Sequence, residues 1–399
     1  MKKLLLIFLF LGSVAFAQDY WIYRDSINGP PRTAAMAFEL NGEGFVVGGA
    51  DFFEFKRTMY SYDLDQDDWD DEEKIGGDAG TGLGRGSGVA MSSNGKGYVG
   101  LGGGAVEFFK DFWQYDPETE SWTQMADFGG TGRREAIGFT IDSTIFVGTG
   151  IDMSGLQNDF WKYEAYNNTW TQLNDFDGEA RRDAVGYRMG GKGYVGTGVG
   201  ATGYLVDFWE YDPIADTWTA KADFPGTPRH GAVGFGVFPN AYIALGEDNA
   251  FEYKKDVWEY NYFSDVWAQK TDFEGAGRAQ SIAFVVDNRI FVGSGYNGQY
   301  YDDFYEYSYV LSSEEYKTEL FAPYPNPTSD YLTIDLPDDN PDLVKVYDVQ
   351  GKTMPVVFSS YSGSGARLDF RSLEPGYYFI EIQNGNEKEV FKVSFYSSL

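Results

Sequence analysis

Three short runs concentrate the reactive side chains of this chain: Arg133-Arg134-Glu135, Arg181-Arg182-Asp183 and Arg229-His230. Arg278 and Gln280 form a fourth run of the same kind. Guanidinium forks hold carboxylates, sulfates or sugar acids through paired, charge-assisted hydrogen bonds. His230 is the only histidine, and cysteine is absent. One imidazole without a thiol supplies neither a Ser-His-Asp set nor a zinc site. A lone His beside an Arg reads first as a solvated loop residue. The residues call for no cofactor and no metal. Recognition of an acid remains, or proton transfer using arginines with carboxylates such as Glu135 or Asp183.

The runs recur because each belongs to one copy of an internal repeat. Arg32, Arg85, Arg133, Arg181, Arg229 and Arg278 are each followed by Phe or Tyr after thirteen residues and by Gly after seventeen. Next come Tyr60, Trp113, Trp161, Trp209, Trp258 and Tyr305, each with a Tyr two residues on. Five copies then carry a second Trp: Trp69, Trp122, Trp170, Trp218 and Trp267. The sixth has Glu314 there, but Trp21 stands eleven residues before Arg32, the spacing that separates Trp122 from Arg133. Residues 19–24 are therefore expected to supply the outermost strand of the sixth copy and close a ring without free sheet edges.

Each copy reads as four antiparallel strands. After each Arg, small residues such as Ala136 and Gly138 alternate with large ones such as Ile137 and Phe139, so neighbouring sheets pack large against small. The fold expected over 18–311 is all-β, a six-bladed propeller. The arginines begin the innermost strands, which places them around the channel mouth. There they could bind an anion or, as sixfold recurrence favours, pair with carboxylates or backbone carbonyls. Asp111, Asp159, Asp207, Asp256 and Asp303, at the starts of third strands, read as turn residues.

Positions that break the symmetry are the better ligand candidates: Arg134, Glu135, Arg182, Asp183, His230 and Gln280. Loop aromatics such as Phe52, Phe53, Phe108, Tyr204, Phe251, Tyr296, Tyr300 and Tyr301 could stack on sugars. The glycine-rich insertion Gly76–Gly84 reads as a flap or a neutral insertion, because no helix follows to make a phosphate loop. The acidic run Asp63–Glu73 lacks the spacing of a calcium loop and reads as a solvated turn.

Over residues 19 to about 310 the pattern resembles the kelch repeat family: a glycine pair (Gly48-Gly49, Gly102-Gly103), then Tyr, then Trp at fixed spacing. It departs where Gly-Thr-Gly or Gly-Ser-Gly replaces the pair (148–150, 196–198, 293–295). Kelch copper oxidases require two His ligands and a Cys-Tyr crosslink, which this composition excludes. A sugar-acid (sialate-type) mutarotase resembling the six-bladed kelch epimerases needs only Arg and carboxylates and stays open.

The two ends read as addresses. Lys2-Lys3, the apolar stretch Leu4 to Gly12 and Ala15-Phe16-Ala17 read as a signal peptide over 1–17, too short in its apolar part to span a membrane. A net charge of −30 sets the chain against nucleic acid and anionic membranes as partners. Residues 312–322 read as a polar linker. The segment 323–399 is a second, small β module opening on Tyr324-Pro325-Asn326-Pro327, with a Leu373-Glu374-Pro375-Gly376-Tyr377 turn. It resembles the type A C-terminal sorting domain of the type IX secretion system. That implies recognition by outer-membrane machinery, then tail cleavage and surface attachment or release. The reading as a whole is an exported, non-catalytic module for glycans or proteins, with the mutarotase as its alternative.

Overall fold

The computed structural model of the chain describes residues 19–77, 82–104 and 106–309, and in the tail 323, 326, 328, 330–335, 343–361, 365–384 and 387–396. The expected signal peptide, the middle of the glycine-rich insertion and the segment 312–322 lie outside the described residues. Every helix or strand among the described residues is a β-strand.

Six four-stranded antiparallel sheets follow one another along the chain. Their first strands are Met36–Leu40, Val89–Ser93, Ile137–Ile141, Val185–Met189, Val233–Val237 and Ile282–Val286. Each touches the next, and the last touches the first, which makes a six-bladed β-propeller. Tyr20–Arg24 pairs with Phe304–Ser308, with Trp21 opposite Tyr307, so the N-terminal strand completes blade six. Trp21 is 6% exposed and packs edge-on against Phe273 at 4.9 Å.

The blades mesh as the alternation predicts. A Cβ added to Gly186 would lie 2.5 Å from Ile137 Cβ, and one on Gly234 would lie 2.7 Å from Tyr187 Cδ1. These glycines let the large face of the preceding blade approach the small face of its neighbour.

The six repeat arginines are at most 1% exposed. Arg85 grips Asp111 through both carboxylate oxygens at 2.7 and 2.6 Å, and Arg229 grips Asp256 at 2.6 and 2.8 Å. Arg133–Asp159, Arg181–Asp207 and Arg278–Asp303 repeat the arrangement. Blade one has Thr58 in this place, and Arg32 donates to its hydroxyl at 3.1 Å. Each arginine also donates to a carbonyl at the end of the second strand, such as Thr149 or Leu245. The indole N–H groups of Trp113, Trp161, Trp209 and Trp258 donate to the same carboxylates. The recurring aspartates are thus ion-pair partners and not merely turn residues, a role hidden because the partners stand 25 to 27 residues apart.

The nodes carry a pH signature. Burial pushes the carboxyls of Asp111, Asp207 and Asp256 up, but hydrogen bonds and charge from their arginines outweigh it and hold all three below the ordinary value of 3.8. A depressed acid adds stability that is present above its unfolded value and lost as pH falls through its folded one. Arg229→Met removes that term. Its melting temperature is expected to lie well below that of the parent at neutral pH, with the gap narrowing below about pH 4. Parallel melts across that range check this.

The tail is a β-sandwich of two three-stranded sheets. One holds Tyr331–Asp335, Val357–Tyr361 and Gly365–Asp369, and the other Leu343–Asp348, Gly376–Asn384 and Glu387–Phe395. Leu332, Ile334, Leu368, Ile380 and Val393 fill the space between them.

Candidate functional site

Two residues past each repeat arginine the backbone turns left-handed. Ala34, Ser87, Glu135, Asp183, Gly231 and Gln280 all have φ between 53° and 60°. Each donates its N–H to the carbonyl of the equivalent residue in the preceding blade, at 2.7–3.2 Å. The result is a closed circle of six main-chain hydrogen bonds at one end of the channel.

Side chains build a second ring upon this circle. The residue two past an arginine in one blade meets the residue one past an arginine in the next. Glu135 accepts from Arg182, and Asp183 pairs with His230 Nδ1 at 2.5 Å. On the far side, Gln280 Oε1 accepts from Thr33 at 3.4 Å. The equivalent position in the blade before Arg134 is Ser87, which offers no carboxylate. Arg134 Nε lies 3.5 Å from its own neighbour Glu135, and its guanidinium rests over Phe108 at 5.2 Å. The Arg134 side chain is 40% exposed, and its buried Nε has no hydrogen-bond partner among the described residues.

The electrostatics follow from these contacts. Burial and then the neighbouring Asp183 raise the Glu135 carboxyl above its ordinary value, against the pull of Arg182 and Arg134. Burial would lower His230, but its hydrogen bond to Asp183 and the charge there win and raise it. The ring of Tyr204 stands edge-on to His230 at 4.9 Å. Blades three to five therefore share one network of closely held charges.

The loops between second and third strands surround this centre with apolar tips. Phe52, Phe53, Val106, Met153 and Phe251 are 76–87% exposed. Of the loop aromatics singled out in the sequence, Phe52, Phe53 and Phe251 are exposed, while Phe108, Tyr204, Tyr296, Tyr300 and Tyr301 are partly buried.

The structure divides the candidates read from the sequence. Arg134, Glu135, Arg182, Asp183 and His230 come together, while Gln280 stands apart beside Thr33. Arg133, Arg181, Arg229 and Arg278 are corrected: buried, with donors engaged by aspartates and carbonyls, they present nothing to a ligand. The scaffold role that recurrence favoured is the one they hold. His230 is half-buried and paired, and so departs from the solvated loop residue its context predicts.

The fold and site define a β-propeller with one asymmetric charged face, joined to a sandwich tail. Residues 322–395 match the family described as the secretion system C-terminal sorting domain. That domain marks chains exported by type IX secretion to the cell surface or the extracellular space. Its opening motif has a structural task here: the Asn326 amide donates to the Lys392 carbonyl at 2.9 Å and accepts from the Ser394 N–H at 3.0 Å. Among solved structures, that of YjhT superposes with a TM-score of 0.58 at 14% identity, covering 70% of this chain and 96% of that one. At that identity the likeness concerns the fold. No curated protein matches the chain.

Proposed function

We propose that this kelch-type propeller is a non-catalytic binding module, delivered outside the cell by its sorting domain, that takes acidic glycans on the face bearing Arg134. One observation carries the reading. Arg182 and His230 each find an acid in the preceding blade, whereas Arg134 meets only Glu135 of its own blade, through Nε at 3.5 Å, and lies over Phe108 with its side chain 40% exposed. A part-exposed guanidinium fork on an aromatic platform suits a carboxylate or sulfate on a sugar. The exposed tips Phe52, Phe53 and Phe251 would pack against the rest of the chain. A glycan array followed by calorimetry tests this. Binding of acidic glycans is expected, weakened about 10- to 100-fold in Arg134→Ala, the range of a charge-assisted hydrogen bond or two. Equal binding by parent and variant would remove Arg134 from the site.

A sugar-acid mutarotase is the second reading, favoured by the raised Glu135 carboxyl beside two arginines. Exchange spectroscopy of sugar-acid anomers separates the two. Acceleration that vanishes in Glu135→Gln replaces the binding module with the enzyme; binding without acceleration disposes of the enzyme.

A further inference from the structure

The end of the propeller opposite the charged face carries an irregularity in blade five alone. The turns joining first and second strands read Asn41-Gly42, Asn94-Gly95, Asp142-Ser143, Gly190-Gly191 and Asp287-Asn288 in five blades, but Phe238-Pro239 in blade five. Blade five also places Tyr262-Phe263 in the turn joining its third and fourth strands. At the position of Phe263, blades three and four have Tyr166 and Ile214, which are 98% and 95% exposed. The blade-five aromatics are covered instead. Phe238 lies 5.5 Å from both Tyr347 and Phe379, and Phe263 lies 5.7 Å from Tyr347. Val390 belongs to the same buried cluster, and Lys388 Nζ sits over the Phe263 ring at 5.5 Å. Tyr347, Phe379, Lys388 and Val390 all belong to the sorting domain.

The fit extends to the backbone. A Cβ on Gly351 of the tail would lie 2.2 Å from Gly190 Cα of blade four. The neighbouring Val349 and Gln350 line the mouth of the axial channel, a cavity of about 760 Å³. One face of the sheet Leu343–Asp348, Gly376–Asn384 and Glu387–Phe395 therefore packs on its own sandwich core, and the other packs on the propeller.

We propose that the lower hairpins of blade five are a receptor for the chain's own sorting domain, which caps the channel mouth in cis. Two consequences follow. Cutting the connecting segment does not by itself release the tail, and the docked face of the sandwich is open to secretion machinery only after the tail leaves the patch. Release then uncovers Phe238, Tyr262 and Phe263 together with the channel. The inference is independent of what the charged face binds.

The test uses the full chain with a site-specific protease sequence inserted within residues 312–322. After complete cleavage at micromolar concentration, propeller and tail are expected to co-elute in size exclusion. Phe238→Lys on the propeller and Val390→Lys on the tail, each made separately, should raise the dissociation constant at least about tenfold and separate the fragments. Melting of each separated fragment as in the parent shows that neither substitution acts by unfolding its own domain. Separation of the unsubstituted fragments, co-elution in both variants, or release by only one of them overturns the proposal.

Discussion

Arg181→Met is expected to lower the stability of the propeller by about 3 kcal/mol or more, the range for breaking a buried ion pair from one side. The arginine is fully buried and serves four partners at once. It grips both oxygens of Asp207 at 2.7 and 2.6 Å, donates to the Thr197 and Glu179 carbonyls at 3.0 Å, and lies 4.9 Å over Phe176. Methionine fills much of the volume but leaves Asp207 without a counter-charge. Lysine is not a remedy, because a compact ammonium cannot span the fork. Arg182→Met, one residue away, should cost less, because it loses a single contact to Glu135 while Arg134 stays 3.5 Å from that carboxyl. Denaturant unfolding of the two variants checks the contrast. A loss in Arg181→Met no larger than that in Arg182→Met would show that the node is not a support of the ring.

Trp21→Ala is expected to cost about 3–5 kcal/mol, as truncation of a buried indole does. The indole contacts Phe273 at 4.9 Å and Tyr307 at 4.8 Å, and it belongs to the strand that closes the circle. Deleting residues 19–24 should do more. Phe304–Ser308 would become an open sheet edge, a template for pairing between molecules. Thermal melts of Trp21→Ala and light scattering of the deletion check both. A monomeric deletion that melts like the parent would mean that the ring holds without its last strand.

The circle was legible because the aromatic and arginine spacings are local to each copy and repeat in register. The partners of the arginines were not, since Asp207 and Arg181 stand 26 residues apart and nothing in their neighbouring residues links them. The constant separation was the available signal. At the rim, departures from symmetry singled out Arg134, Glu135, Arg182, Asp183 and His230, which the fold brings together, and Gln280, which it leaves apart. Their pairing across blades was hidden, because Asp183 and His230 meet only when the sheets stand side by side. The Phe238 patch gave no sequence sign of what covers it, since its partner sheet lies more than a hundred residues later in the chain.

The circle of six main-chain hydrogen bonds has a bearing on how such a molecule changes over time. Its links are peptide groups, so blade-to-blade alignment at that end asks of a side chain only that it tolerate a left-handed backbone. Alanine, serine, glutamate, aspartate, glycine and glutamine already occupy the six places. Substitution there can retune charge and shape at the mouth while the frame beneath stays as it is, which separates the history of the ligand from the history of the fold.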